Sequence, residues 1–292
     1  MQKQNQRQTI LAAFFFSCFV ILSCGPLHAQ TPYFITYSHH MEEPGSLEIS
    51  ISNTIGRPRG GPRFLNTLME LEYGATGWWT TELYLHGQTT FGDSTVFTGS
   101  RWENRFRIFR QEHWINPVFY VEFENINGAD RSFLEVVGFD TQDDLLARNA
   151  ESRRERKREI EAKLILGSNF KGWNFSENFI AEKNVHHAPL EFGYAVGVNR
   201  PLALAARPEA CRFCAENFRA GLELYGALGT HERFGLPGDT SHYIAPVLSW
   251  QVSDGASLRV SPGFGLTSTS VPFLLRFGIS YEISRFGKSG KR

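Results

Sequence analysis

Apolar and polar side chains alternate along most of the chain with a period of two residues. Leu47 and Ile49, for example, would share one face of an extended strand, with Glu48 on the other face. Because successive side chains of a strand point to opposite faces, this alternation predicts strands with one apolar and one polar face. About twelve such segments, of roughly 8–12 residues each, follow one another between turn-forming residues.

The polar face changes in character along the chain. In the first half it carries many charged side chains, whereas in the second half it is smaller and includes Gly193, Gly197 and Gly221. One predicted strand, residues 173–183, places Glu177 on its apolar face. A β-bulge at that point would restore the register.

Such alternation fits a soluble β-sandwich, whose apolar face is the core, and also a transmembrane barrel, whose apolar face meets lipid. The predicted strands are long enough to cross a bilayer at a tilt. Aromatic residues recur near strand ends, as interfacial girdles require: Tyr73, Trp79, Trp102, Trp173, Tyr194 and Trp250. We therefore predict an all-β fold, a single antiparallel transmembrane β-barrel of about twelve strands. A soluble periplasmic β-sandwich is the alternative.

An even number of strands brings both chain ends to the periplasmic side of such a barrel. Short periplasmic links are then predicted at residues 74–77, 167–172 and 252–256, and extracellular links at 56–62, 90–95, 125–158 and 229–240. The link 200–217 would also be periplasmic, although it is unusually long for that side.

The longest predicted loop, near residues 125–158, contains a run of mixed charge at 151–159. Residues 143–162 could form a helix rich in such charges. The basic side chains could bind the phosphates of lipopolysaccharide, or the loop could fold into the barrel mouth. A solvated charged loop with pairs along one face is the favoured interpretation, because charge runs usually face water.

The N-terminus has the pattern of an export signal. Lys3 and Arg7 precede an apolar stretch over residues 10–22, which has the length of a signal-peptide core rather than of a spanning helix. Cleavage after Ala29 makes residues 1–29 a signal peptide and residues 30–292 the barrel domain. In the alternative, Cys24 belongs to a lipoprotein box and is lipidated.

Under the favoured cleavage, Cys211 and Cys214 are the cysteines that remain, spaced C-x-x-C. Position 215 is alanine and not the histidine of a haem attachment motif, and no second cysteine pair or nearby histidine indicates zinc. We therefore predict a small local disulfide, formed in an oxidising compartment.

The most concentrated charge on any predicted strand is a ladder on one polar face: Arg101, Glu103, Arg105 and Arg107. Glutamates on neighbouring predicted strands lie close by: Glu70, Glu72, Glu82, Glu122 and Glu124. Inside a barrel of this size these side chains would line the lumen and form salt bridges. The network would either tune a narrow polar pathway or act as a structural plug.

Composition narrows the classes of function. With 30 Lys and Arg against 30 Asp and Glu the chain has no net charge, which argues against nucleic-acid binding. A hydrophobic content of 41% argues against disorder. The chain has no G-x-S-x-G, H-E-x-x-H or phosphate-binding loop. We expect no enzymatic activity, no cofactor and no metal site.

Four short segments resemble a known family: residues 43–49 (EPGSLEI), 71–78 (LEYGATGW), 101–107 (RWENRFR) and 221–226 (GLELYG). They are similar to strands and turns of the outer-membrane proteins grouped as the MetA-pathway of phenol degradation family, and the likeness runs from about residue 43 to the C-terminus. The resemblance implies a Gram-negative outer-membrane barrel that passes small hydrophobic or aromatic compounds. It implies no catalytic residue, and the long charged loop is larger than the family pattern.

These observations predict a channel or transporter-like barrel in the outer membrane of a Gram-negative bacterium, reached by export to the periplasm. Its expected partners are outer-membrane lipid and lipopolysaccharide, the barrel-assembly machinery and a small-molecule solute. The alternative is a structural or lipopolysaccharide-binding surface barrel with a plugged lumen.

Overall fold

A computed structural model describes residues 32–133, 136–186, 188–205 and 211–286. The predicted signal peptide, residues 1–29, lies outside the described residues. The lipidation alternative at Cys24 lies outside them as well.

Twelve antiparallel strands form one closed barrel. They are β1 (Leu47–Gly56), β2 (Phe64–Thr76), β3 (Trp79–Thr90), β4 (Thr95–Arg107), β5 (Asn116–Asn127), β6 (Arg156–Phe170), β7 (Trp173–Asn184), β8 (Leu190–Pro201), β9 (Phe218–Thr230), β10 (His242–Gln251), β11 (Ala256–Gly265) and β12 (Phe273–Ile283). Each strand pairs with its neighbours in sequence, and β1 pairs with β12 to close the sheet. The predicted all-β, twelve-stranded antiparallel barrel is confirmed.

The alternation of side chains has the predicted sense, with polar groups inside and apolar groups outside. On β5, for example, Tyr120 and Glu122 are buried in the lumen, whereas Phe119 and Phe123 are about half exposed on the outer surface. An apolar outer face and a polar interior are the arrangement of a barrel that spans a lipid bilayer.

The predicted bulge on β7 is wrong. The ladders from β7 to β6 and to β8 run without a register shift, so Glu177 keeps its place on the outward face. It pairs across the ladders with Leu166 and Val196. The strand retains its regular hydrogen bonds and leaves a carboxylate on the apolar surface.

The links divide between the two ends of the barrel as predicted. The start of β1, the end of β12 and the short turns, such as the one between β6 and β7, lie at one end, and the β5–β6 loop and the β9–β10 link lie at the other. We call these the periplasmic end and the extracellular end. The long link between β8 and β9 lies with the short turns, where the sequence placed it. Aromatic side chains cluster on the outside at the periplasmic end, where Trp79 stacks on Phe106 and Trp250 stacks on Phe218.

The long loop between β5 and β6 covers residues 128–155 and differs from the favoured interpretation. The helix predicted over 143–162 is absent: a 3-10 helix spans Gln142–Leu145, a short helix α1 spans Asn149–Ser152, and β6 begins at Arg156. The first part of the loop is buried, with Ala129 fully inaccessible to solvent. The loop therefore folds into the barrel mouth, which was the less favoured alternative. Among the described residues, no helix is long and apolar enough to cross a membrane.

A second segment, not foreseen from the sequence, also occupies the interior. Residues 33–43, here called the N-terminal segment, enter the periplasmic end of the lumen before β1 begins. Tyr33, Ile35 and His39 are almost fully buried there. The lumen is therefore occupied from both ends, by the N-terminal segment and by the β5–β6 loop.

Candidate functional site

The lumen is the candidate functional site, and its charged wall is built from the inward faces of neighbouring strands. The ladder on β4 points inward because Arg101, Glu103 and Arg105 alternate with the outward Trp102. The structure places each of the other predicted lumen residues on the inward face of its strand: Glu70 and Glu72 on β2, Glu82 on β3, Arg107 on β4, and Glu122 and Glu124 on β5.

Every arginine of the ladder is ion-paired. Arg105 donates to Glu72 and Glu82, and its Nε lies 3.2 Å from a Glu103 oxygen. Burying an unpaired charge costs desolvation free energy. These ion pairs offset that cost and allow Arg105 to be buried in the interior.

Arg101 and Arg107, at the two ends of the ladder, have separate partners. Arg101 lies 3.3 Å from both Glu122 and Glu124. Arg107, near the periplasmic end, pairs with Glu112 of the β4–β5 link at 3.0 Å. The ladder is thus neutralised along its length.

A lysine completes the wall beside the ladder. Lys163 on β6 lies 2.7 Å from Glu161, and its ammonium sits 4.2 Å from the ring centroid of Tyr120 and 4.4 Å from that of Tyr37. An ammonium over aromatic faces is stabilised by the ring quadrupoles. Lys163 therefore joins the wall of the barrel to the N-terminal segment.

Glu223 on β9 is the principal anchor of the N-terminal segment. Its buried carboxylate accepts hydrogen bonds from three successive backbone N–H groups, those of Phe34, Ile35 and Thr36, at 3.2, 2.9 and 2.7 Å. A carboxylate that accepts several N–H groups forms charge-assisted bonds, which are stronger than neutral ones. One side chain therefore fixes the backbone of the segment.

Further bonds attach the segment to β7 and then, on the opposite side of the lumen, to β4. The Tyr37 N–H donates to the Asn178 side-chain oxygen at 2.6 Å, and the Asn178 amide donates back to the Tyr37 carbonyl at 2.8 Å. The Tyr37 hydroxyl donates to Glu103 at 2.9 Å, and Arg105 donates to the His40 carbonyl. The segment therefore crosses the lumen.

Glycines on the inward faces provide room for the segment. A Cβ atom added at Gly197 would lie 2.7 Å from the Tyr33 ring, and one added at Gly167 would lie 2.0 Å from the His39 ring. Such distances are too short for real contacts, so a larger side chain at either position must displace the segment. On the small polar face predicted for the second half of the chain, Gly197 thus leaves the space that Tyr33 occupies.

Asp130 anchors the inserted β5–β6 loop at the extracellular end. Its carboxylate accepts hydrogen bonds from Thr98 at 2.9 Å and from Ser132 at 2.6 Å, and it lies 3.2 Å from His86. Burial alone would raise the pKa of Asp130, but His86, followed by the Arg101 guanidinium, outweighs burial and holds that pKa well below its usual range. The loop is therefore tied to the wall by an ionised carboxylate.

The two inserted elements meet an apolar layer on one side of the lumen. Ile35 of the N-terminal segment and Val136 of the loop belong to one buried cluster with wall residues of β8 to β12, among them Tyr225, Tyr243 and Leu274. The strands with the smaller polar face thus contribute a hydrophobic core inside the barrel. The charged wall lies mainly on β1 to β6.

In the part of the chain that the structure describes, two lumen cavities carry charged linings. The first, of about 330 Å³, lies between the N-terminal segment and the wall. Seven carboxylates and two arginines line it: Glu42, Glu43, Glu48, Glu70, Glu72, Glu82, Glu282, Arg105 and Arg259. Oxygens of Glu70, Glu72 and Glu82 lie within 4.8 Å of one another, so these three carboxylates could hold a cation.

The second cavity, of about 240 Å³, lies beneath the β5–β6 loop. Its charged lining comprises seven carboxylates and three cations: Glu124, Asp130, Asp140, Asp144, Glu155, Glu159, Glu182, Arg101, Arg131 and Lys157. Both cavities therefore carry an excess of acidic groups.

Burial shifts the pKa of two groups on the N-terminal segment. Burial, followed by the neighbouring carboxylates Glu282 and Glu48, raises the pKa of Glu42 to about 8. Burial, followed by the neighbouring His39, lowers the pKa of His40 to about 4. At neutral pH, His40 is therefore uncharged and Glu42 is largely protonated.

The predicted cysteine pair lies away from the lumen. Cys211 and Cys214 form a disulfide in the link between β8 and β9, at the periplasmic end. Within that link, Phe213 stacks on Trp250 of β10, and the Trp250 indole donates to the Arg212 carbonyl at 2.8 Å. The disulfide thus closes a turn that packs on the aromatic girdle.

Sequence reasoning missed the residues that bind the inserted elements, chiefly Glu223, Asn178 and Asp130. Glu223 shares the predicted polar face with Gly221, two residues before it, but the alternation alone gives it no partner. One signal was available: residues 33–37 (YFITY) are apolar and aromatic, yet they precede the first of twelve strands that already close the barrel. An apolar segment with no place in the wall has to be buried elsewhere.

Comparisons with known proteins support the fold. No family model matches the sequence, so the resemblance to the MetA-pathway of phenol degradation family is not confirmed. No curated protein matches the sequence. Among solved structures, the chain is similar to the NanC porin, with a TM-score of 0.52 and 10% identity over 81% of this chain and 100% of that chain.

Two further structures show a weaker likeness. An outer membrane channel from Pseudomonas putida F1 has a TM-score of 0.49 and 10% identity over 87% of this chain and 100% of its own. The KdgM porin has a TM-score of 0.46 and 9% identity over 81% and 98%. At such identities the likeness to the NanC porin establishes the architecture alone: a closed antiparallel barrel of the kind found in outer-membrane proteins.

Proposed function

We propose that this protein is an outer-membrane channel with a narrow lumen that passes small cationic solutes. The observation that carries the proposal is the excess of acidic over basic side chains in the two lumen cavities: seven against two in the first and seven against three in the second, an excess that remains with Glu42 protonated. Rings and clusters of carboxylates favour cations over anions in a confined polar pathway.

The pairing of the ladder strengthens this assignment. Arg101, Arg105 and Arg107 are each held by carboxylates, so they contribute little net positive field to the lumen. The acids in excess of these pairs set the sign of the potential that an entering solute meets.

The resemblance in sequence implies small hydrophobic or aromatic solutes. The charged lining of both cavities does not favour a neutral hydrocarbon, because such a solute would desolvate the carboxylates without pairing them. A protonated aromatic amine satisfies both the resemblance and the lining.

A second candidate is a structural surface barrel with a sealed lumen. It is favoured by one observation: the N-terminal segment and the β5–β6 loop meet in a shared apolar layer inside the barrel. In such a protein the paired charges would serve only to satisfy one another.

Single-channel recording in planar bilayers separates the two candidates. The reversal potential in a KCl gradient is measured for the purified protein and for Glu282→Gln, which removes a carboxylate of the first cavity. Glu151→Gln is the matched control, since Glu151 is exposed in the β5–β6 loop. We expect discrete steps with a cation preference that falls in Glu282→Gln and is unchanged in the control.

Other outcomes have equally clear meanings. Steps without a cation preference, or with an anion preference, would show the assignment of solute charge to be wrong. A demonstrably folded barrel that gives no steps would establish the sealed candidate.

A further inference from the structure

The mixed-charge run at residues 151–159 overlaps the start of β6, where strand alternation directs successive side chains to opposite faces. Lys157 points inward and lies 3.7 Å from Asp140, whereas Arg156 and Arg158 are exposed on the outward face above the apolar Ile160. The sequence presents these side chains as one solvated cluster. In the structure the two arginines stand on the outer wall at the extracellular end.

A groove lies beside them in the outer wall, between β4 and β5. The ladder between these strands begins at Gly99, and residues 95–98 of β4 have no partner on β5. Gly99 has a positive φ of 150°, and a Cβ atom there would lie 2.2 Å from the Asn125 carbonyl, so only glycine allows this divergence. Asn127 spans the gap by donating from its side chain to the Thr98 carbonyl at 2.9 Å.

The groove has a volume of about 490 Å³. Its lining includes the exposed aromatic ring of Phe97 and the two basic residues Arg153 and Arg156. Glu155, between the two arginines in sequence, instead lines the second lumen cavity. The nearest acid in the sequence therefore does not line the groove.

Among the described residues, neither Arg153 nor Arg156 has a carboxylate within ion-pair distance. Two arginines and an exposed aromatic ring that line one groove match a ligand with a phosphate and a hydrocarbon portion, because guanidinium binds phosphate oxygens in bidentate fashion. At the extracellular end of an outer-membrane barrel, the surrounding leaflet supplies such a ligand.

We propose that this groove binds the phosphorylated glycolipid of the outer leaflet, with Arg153 and Arg156 on a lipid A phosphate and Phe97 against an acyl chain. The proposal rests on the outer-membrane placement in the proposed function and is independent of conduction. The site would fix the barrel in its leaflet at one defined point.

Binding is tested with the purified full-length protein in detergent, titrated with bisphosphorylated lipid A, dephosphorylated lipid A or phosphatidylglycerol. The test variant is Arg153→Gln/Arg156→Gln. The matched control is Arg57→Gln/Arg63→Gln, which removes the same charge from the β1–β2 link at the same end of the barrel. Arg153→Lys/Arg156→Lys keeps the charge but not the bidentate geometry.

We expect the test variant to bind bisphosphorylated lipid A about 25-fold more weakly, at about fivefold per arginine near an anionic lipid surface. Its affinity should fall to that of the parent protein for dephosphorylated lipid A, with the control unchanged and the lysine variant in between. Equal losses in test and control variants, or equal affinity for phosphatidylglycerol, would overturn the proposal in favour of general charge attraction.

Cell fractionation of the parent protein distinguishes failure of the groove assignment from failure of the proposed function. A protein found in the outer membrane that shows no preference for lipid A phosphates contradicts the groove assignment alone. A protein found outside that membrane contradicts the proposed function itself.

Discussion

Glu177 on β7 faces outward with Phe175 and Phe179 beside it on the same strand face. An ionised carboxylate on the lipid-facing side of a barrel is destabilising, to an extent that depends on its depth. We predict that Glu177→Leu raises the free energy of unfolding by about 1–2 kcal/mol. The measurement is urea unfolding in phosphatidylcholine vesicles, followed by tryptophan fluorescence.

The same substitution at an exposed loop position provides the control. Glu151→Leu should leave the unfolding midpoint where it is, because Glu151 lies outside the strands. A Glu177→Leu variant that is no more stable than its parent would indicate that the carboxylate has a partner in the membrane.

Ionisation of Glu42 makes the binding of the N-terminal segment in the lumen depend on pH. Its pKa is raised to about 8, so the folded segment favours the protonated carboxyl, and this contribution is lost as pH rises from the ordinary value of 4.5 through 8. The groups facing it are Glu48, Glu82 and Glu282, with Arg105 as the nearby cation. We predict that the segment is held more weakly at pH 9 than at pH 6.

Hydrogen exchange of the backbone of residues 33–43 measures this effect at each pH, after correction for the intrinsic rate. Glu42→Gln, which cannot ionise, should remove most of the additional exchange at pH 9. An unchanged pH dependence in Glu42→Gln would assign the effect to the other lumen carboxylates.

At the scale of elements, the position of the N-terminal segment depends on Gly197, an inward-facing glycine of β8. A leucine at position 197 cannot coexist with Tyr33, whose ring lies 2.7 Å from a Cβ atom placed there. We predict that Gly197→Leu displaces the segment and increases chymotryptic cleavage after its aromatic residues by at least about tenfold, because cleavage follows the population of the open form. Cleavage is read by mass spectrometry of the intact chain.

Gly87 offers the matched control, because the nearest neighbour of a Cβ atom there, the Thr67 carbonyl oxygen, lies at an ordinary contact distance of 3.8 Å. Gly87→Leu should leave the cleavage rate unchanged. Equal protection in Gly197→Leu and its parent would mean that the segment is held without close contact to β8.

The whole molecule is a sheet closed by the pairing of β1 with β12. A closed barrel resists unfolding by detergent until it is heated, and the folded barrel is more compact than the unfolded chain. We therefore predict that the unboiled protein migrates faster on a gel than the boiled protein. A variant that lacks residues 273–283 cannot form this closing pair and should run identically under both conditions. Identical mobility of the parent, together with its recovery in the soluble fraction, would contradict the membrane placement.

Much of this architecture is encoded locally. The faces of β4 follow from the alternation of Arg101, Trp102 and Glu103, and the same period assigns the interior and exterior of each strand. Where the local rule fails, as at Glu177, regular hydrogen bonding of the backbone prevails over one unfavourable side chain. The predicted bulge was wrong because a bulge disturbs two ladders, whereas an outward glutamate affects one site.

The sequence by itself therefore determined the strand number, the order of pairing and the two faces of the wall, because side-chain alternation and antiparallel neighbours are local properties. Only the tertiary structure decided what fills the lumen. The contact between Tyr37 and Asn178 joins residues 141 positions apart, and no periodicity encodes such a contact. The insertion of the loop and the acidity of the cavities depend in the same way on which groups meet inside the closed barrel.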